Sequence, residues 1–248
     1  MHDVEALVFN TNYDPQRTLH VVKRLIGLQV PGVAVLTSQI DPGVIDLLAS
    51  SGTAAVYLDL GKVAPGISNI LLGYEDGIAE GLEYLAGLGH RRVGYIGGTP
   101  TLHSAQQRKR AFTERAVQMG LEMDRIIDSD FTVQGGYFAC SRLLSGRAPT
   151  AIIAANDLMA IGVLHRAYDG GLRVPEDLSV IGFDNILFAE YTQPALTTVA
   201  VPRVEIGKVA FQALWKMASE PAQSGEEFRV NTRLIVRQST APPQSPSK

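Results

Sequence analysis

The sequence predicts an α/β fold built on parallel sheets, and three observations carry that prediction. Short apolar runs rich in Val, Ile and Ala alternate along the chain with segments whose apolar residues recur at helical spacing. Several of those runs are apolar throughout, as strands covered on both faces are. Helix-start signals fall between them. Strand, helix, strand in this rhythm describes right-handed βαβ units.

The strand candidates are residues 6–9, 32–36, 54–58, 92–96, 151–154 and 178–181, with a last one at 228–236. Asp14-Pro15 reads as an N-cap followed by proline at the first helical position. Leu19, Val22 and Ile26 then share one face, and Ile78, Leu82 and Leu85 repeat the pattern. Residues 104–119 form a third helical segment with Ala105, Phe112 and Ala116 on one stripe. Pro202 opens a fourth, burying Ile206, Val209, Ala213 and Met217. Residues 241–248 are rich in Pro and Ser and read as a disordered tail.

Composition narrows the function. With 46% hydrophobic and 19% charged residues, the 248-residue chain can fill one large core or two smaller ones. A net charge of −3 gives no overall attraction for nucleic acid. Cys140 is the only cysteine, which excludes an intramolecular disulfide and a cysteine-based zinc site. No apolar run approaches the roughly 18 residues of a membrane span, and Met1-His2-Asp3-Val4-Glu5 is unlike a secretory signal. The expectation is a soluble cytoplasmic protein. There is no G-x-S-x-G elbow, H-E-x-x-H, Walker loop or G-x-G-x-x-G, and the five histidines show no metal-ligand pairing. No catalytic residue, metal or cofactor is expected. His90, just before a strand, suits a structural hydrogen bond.

In open parallel sheets, ligands sit beyond the carboxyl ends of the strands. Those ends carry Gly97-Gly98-Thr99, Asn156-Asp157 and Gly182-Phe183-Asp184-Asn185. Asn156 and Asp157 cannot both cap the helix that follows, which leaves one of them for a ligand. Asp184 is either a ligand group or a turn carboxylate. Arg108 falls on the inward stripe of its helix, three residues after Ala105 and four before Phe112. It either pairs its guanidinium with buried partners and vicinal hydroxyls, or buries its stem and reaches water. Phe131 is either a core residue or a platform for the apolar face of a sugar.

Five stretches taken in order resemble the effector-binding portion of regulators of the lactose-repressor/galactose-repressor (LacI/GalR) type. They are Leu85-Ala-Gly-Leu-Gly-His-Arg-Arg-Val-Gly-Tyr-Ile-Gly-Gly98, Pro149-Thr-Ala-Ile-Ile-Ala-Ala-Asn-Asp-Leu-Met-Ala-Ile-Gly162, Arg173-Val-Pro-Glu-Asp-Leu-Ser-Val-Ile-Gly-Phe-Asp-Asn185, Pro194-Ala-Leu-Thr-Thr-Val199 and Leu234-Ile-Val-Arg-Gln-Ser-Thr240. The resemblance implies a periplasmic-binding-protein-like fold of two α/β lobes with a small molecule held between them. It places the first lobe at 1–98 plus 202–222 and the second at 99–199 plus 224–240. It implies ligand roles for Arg108, Asn156, Asp184 and Phe131, although Ala111-Phe112 stands where the family has Gly-aromatic. Where many members carry an aspartate, this chain has Gly73, so Tyr74 or Glu75 is expected to take its place.

A second departure is larger. The helix-turn-helix, the hinge helix and the first strand–helix unit of the family are not visible, and 6–9 looks like its second strand. The first lobe is therefore expected to be incomplete. The function implied is an effector-sensing domain, for a sugar or related polar molecule, of a homodimeric non-enzymatic repressor. Such a chain would touch DNA only through a helix-turn-helix that it lacks. The alternative is a solute-binding protein of a sugar transporter.

Overall fold

The computed structural model describes residues 4–12, 14–37, 41–59, 62–123, 125–220 and 224–244. In chain order the elements are α1 (Pro15–Gly27), β1 (Gly32–Val35), α2 (Pro42–Ser51), β2 (Ala54–Leu58), β3 (Ile67–Gly73), α3 (Tyr74–Gly87), β4 (Val93–Gly97), α4 (His103–Gln118), β5 (Ile126–Asp128), α5 (Val133–Leu144), β6 (Ala151–Ala154), α6 (Asp157–Asp169), β7 (Ser179–Asp184), β8 (Thr197–Ala200), α7 (Arg203–Ser219), β9 (Glu227–Asn231) and β10 (Arg233–Ile235). They form two compact units, residues 1–71 with 203–230 and residues 72–202 with 231–248. The division lies at 71/72 rather than at the expected 98/99. The reason is β4, which pairs with β5 and β6 of the second unit's sheet.

The first unit holds a four-stranded sheet in the order β1-β2-β3-β9, with β1, β2 and β3 parallel. Asp14 caps α1 by accepting from the Gln16 and Arg17 amides, and Pro15 occupies the first turn, as its sequence demands. Val22 and Leu25 of α1 and Val44, Ile45 and Leu48 of α2 pack on Val33, Ala55, Tyr57 and Ile67. Helix α7 covers the opposite face: a methyl added at Gly32 would stand 2.9 Å from Leu214 Cδ2, whereas the neighbouring Val33 side chain points to α1 and α2. Residues 6–9 are not a strand. Leu7 and Val8 lie exposed, and Phe9 packs on the core under the Arg24 guanidinium. An apolar run becomes a strand only where a neighbour takes its backbone bonds. Among the described residues the sole strand partner of β1 is β2.

The second unit holds six strands in the order β10-β8-β7-β6-β4-β5, all parallel except β10. Helix α3 covers one face, with Gly81 over Ile153 and Ile181, and Phe112 of α4 stacks on Tyr95 at 4.6 Å. Leu143 of α5 lies over Gly94 on the other face. Strand order changes sense between β4 and β6, since β5 flanks β4 on one side and β6 to β8 continue on the other. That reversal opens a crevice at the carboxyl ends of these two strands.

The expected strand over 228–236 is broken at Thr232. Its hydroxyl donates to the Gly73 carbonyl at 2.6 Å and accepts from the Gly77 amide at 3.0 Å. The start of the tail is also ordered by specific bonds. The Ala241 carbonyl accepts from His90 Nε2 at 2.9 Å and from Ser179 Oγ at 3.0 Å, and Gln244 donates to Asp177. Residues 245–248 lie outside the described residues.

Helices α5 and α6 meet at two glycines. A methyl at Gly136 would stand 2.2 Å from the Met159 carbonyl, and one at Gly162 would stand 2.1 Å from the Val133 carbonyl. Backbone cannot yield as a flexible side chain can. Gly162→Ala is therefore expected to destabilise the protein by about 2 kcal/mol or more, despite alanine's better helix propensity. Urea denaturation checks this, and a variant as stable as the parent would contradict it.

Candidate functional site

The second unit brings Tyr74, Arg108, Phe131, Asn156 and Asp184 together at the carboxyl edge of its sheet. Arg108 is the hub. Helix α4 turns it inward with Ala105, Phe112 and Ala116, and its side chain retains 9% exposure. One terminal nitrogen donates to the Ala155 carbonyl, immediately after β6. The other donates to Asp184 Oδ1 at 3.1 Å. Its Nε–H is buried without a protein partner. The guanidinium carbon lies 4.0 Å from the Phe183 ring centre, 5.2 Å from Tyr74 and 6.0 Å from Phe131. A cation among aromatic faces gains from the ring quadrupoles, and a partly desolvated carboxylate beside it gains more than it would in water.

The backbone is held in uncommon shapes here. Phe131 has φ 65°, Asp184 φ 106° and Asn185 φ 51°. Non-glycine residues adopt positive φ rarely, and the surrounding structure must impose it. Phe131 owes its placement to two neighbours. Its carbonyl accepts from Asn156 Nδ2 at 3.0 Å. Its ring lies over Gly98, where a methyl would meet Phe131 Cζ at 2.0 Å. Only a residue without Cβ admits the ring there.

Asn156 is the cap of α6. Its Oδ1 accepts from the Met159 amide at 2.8 Å, and one hydrogen of its amide remains beyond the bond to Phe131. Asp157, the other member of the pair, neither caps α6 nor faces the crevice, so the cap and the expected ligand residue are the same Asn156. Asp157 is buried, accepting from the Ile186 amide at 2.8 Å and from the Thr198 hydroxyl. Tyr74 is buried at the first turn of α3, whereas Glu75 is exposed.

Three contributors were not read from the sequence. Phe183 looked like one more apolar strand residue, yet it is the ring closest to Arg108. Asp157 looked like an alternative cap. Arg237 lies far along the chain, and its guanidinium donates to Asn185 Oδ1 at 2.8 Å, Glu190 Oε1 at 3.0 Å and the Leu196 carbonyl at 2.8 Å. The only hint was that each of the three falls inside a stretch that resembles the family.

The comparisons agree with this architecture. Residues 82–240, well over half of the chain, match the family described as the periplasmic binding protein-like domain. A repressor of Mannheimia succiniciproducens, the HTH-type transcriptional repressor PurR, is 31% identical over 93% of this chain and 70% of its own length. The chain belongs to the effector-binding domains of the LacI family. A LacI family transcriptional regulator from Enterococcus faecium, solved with bound ribose, aligns at a TM-score of 0.81 with 28% identity, over 91% of this chain and 85% of that one. The lac repressor dimer, solved on its operator with an anti-inducer, aligns at 0.79 with 25% identity, over 91% and 79%. These relatives are named as transcriptional regulators or repressors. Among the described residues of this chain no helix is long and apolar enough to cross a membrane.

Burial pushes Asp157 up to about 7, and the Asp184 charge adds to the rise, while the bonds from Thr198 and Ile186 and the Arg237 charge oppose it. The carboxyl thus holds its proton more tightly folded than unfolded. Its stabilising contribution is complete below its ordinary value of 3.8 and is lost as pH rises through about 7. Asp157→Asn removes that titration. In urea denaturation the variant should gain on the parent between pH 5 and pH 8, and an offset equal at both values would contradict the assignment.

Proposed function

We propose that this LacI-family effector domain holds a small polyhydroxylated molecule, a sugar or sugar derivative, at the carboxyl edge of the second unit's sheet. Occupancy then shifts the DNA affinity of the complete regulator, because the guest favours one of its conformations over another. The observation that carries this reading is the buried Arg108 fork. It is fixed on Ala155 and Asp184, keeps an unpartnered Nε–H, and is flanked by aromatic rings.

Sugars offer two kinds of surface, hydroxyl edges and a C–H face. Arg108 donates to hydroxyl oxygens and Asp184 accepts from hydroxyl hydrogens. The remaining Asn156 amide hydrogen adds a donor. Phe131 stacks on the C–H face, and Tyr74 packs beside the guanidinium, its ring centre 5.2 Å from the guanidinium carbon. Nothing in this set breaks a bond: no nucleophile stands beside a base, so the guest is bound and released unchanged. Ribose bound to the E. faecium regulator supports the class of guest. The lac repressor dimer on its operator supports a dimeric assembly, and the HTH-type repressor of M. succiniciproducens supports DNA contact through a helix-turn-helix.

Calorimetry with D-ribose, hexoses and nucleosides tests the reading. Asp184→Asn is the chosen variant, because asparagine tolerates positive φ and keeps the shape while removing the charge. A hydrogen bond to a charged group contributes about 1.5–3 kcal/mol, so affinity should fall roughly tenfold to a hundredfold. Unchanged affinity in Asp184→Asn, or no binding across the panel, would overturn it.

A further inference from the structure

We propose that Arg237 is a positioning residue of the effector site, locking the turn 184–186 so that the Asp184 carboxylate stays aimed at Arg108. The proposal rests on the effector reading above and adds a residue that touches neither the guest nor Arg108.

The geometry is specific. The Arg237 side chain is 14% exposed and reaches three acceptors on three separate segments. Asn185 Oδ1 belongs to the residue directly after Asp184. Glu190 ends the single 3-10 turn Leu187–Glu190, and the Leu196 carbonyl leads into β8. A planar fork is suited to this, because its donors point in fixed directions and a single fork holds several acceptors at once. In the same turn, Asp157 accepts from the Ile186 amide and Thr198 from the Asn185 amide at 3.3 Å. The turn is thus held through both its backbone amides and the Asn185 side chain. Two consecutive residues at positive φ need such a grip, since left alone each would relax toward negative φ. Relaxation at Asn185 swings Asp184 away from Arg108, because the two share a peptide.

Arg237 also has a telling place in the chain. It follows β10, six residues after the chain re-enters the second unit at Asn231. The returning segment and the ligand turn are therefore bonded directly, and a change in one is felt at the other.

The test compares the full-length protein with Arg237→Gln and Arg237→Lys. Amide exchange by NMR reads the turn without any ligand. In Arg237→Gln, protection at Asn185 and Ile186 should fall tenfold or more, while Ile152 and Ile153 in the core stay protected. Arg237→Lys keeps one donor at a time and should fall between. Unchanged protection at Asn185 and Ile186 overturns the proposal. Should Arg237→Gln fail to fold, Asn185→Gly removes the acceptor and tolerates the backbone shape, and it must show the same local loss at Ile186. With D-ribose as probe, Arg237→Gln should bind at least fivefold more weakly, and equal affinity overturns the proposal. If the parent takes no D-ribose, the effector reading fails for that sugar, while amide exchange still decides the role of Arg237.

Discussion

A guanidinium stays charged wherever it is placed, so burying one obliges the protein to surround it with acceptors and polarisable faces. Arg108 sets that obligation at the carboxyl edge of the second sheet. The Ala155 carbonyl, the Asp184 carboxylate and the rings of Tyr74, Phe131 and Phe183 answer it. One N–H of this guanidinium, that on Nε, remains without a protein acceptor. A buried donor without a partner costs about 1–3 kcal/mol.

The parallel sheet explains why groups so far apart in sequence meet. Each βα connection leaves the carboxyl edge, and the reversal between β4 and β6 keeps two of them from covering the gap. Gly98, Asn156 and the turn after β7 are the departures nearest that gap. Each carries a local device: a missing Cβ, a helix cap and a pair of positive-φ residues. The cap stabilises its helix, whereas the positive-φ pair costs conformational energy locally and is held by the well-packed strands beneath it.

Much of this was legible. Arg108 stood out because a charged residue shared a stripe with Ala105 and Phe112, and helical spacing alone requires it to face inward. Asp184 stood out as a polar residue just past a strand end, whereas Phe131 was open between core residue and sugar platform until the resemblance implied a ligand role. What was not legible depends on registry and partners that local pattern does not encode. Whether Asn156 or Asp157 caps α6 turns on where Thr198 and Ile186 sit, far along the chain. Phe183 is distinguished from other strand residues only by Arg108 arriving over it. The boundary at 71/72 escaped because a strand carries no mark of the sheet it joins, and residues 6–9 have strand composition without a strand to pair with.

The central claim is that the buried Arg108 fork is where the effector is recognised, and the Arg108 Nε–H signal in an NMR titration reports on it directly. Addition of a sugar that binds should shift that signal in proportion to occupancy, as the guest comes to lie beside the guanidinium. Saturating binding that leaves the Arg108 signal unmoved, with the changes clustered elsewhere in the protein, would contradict the account.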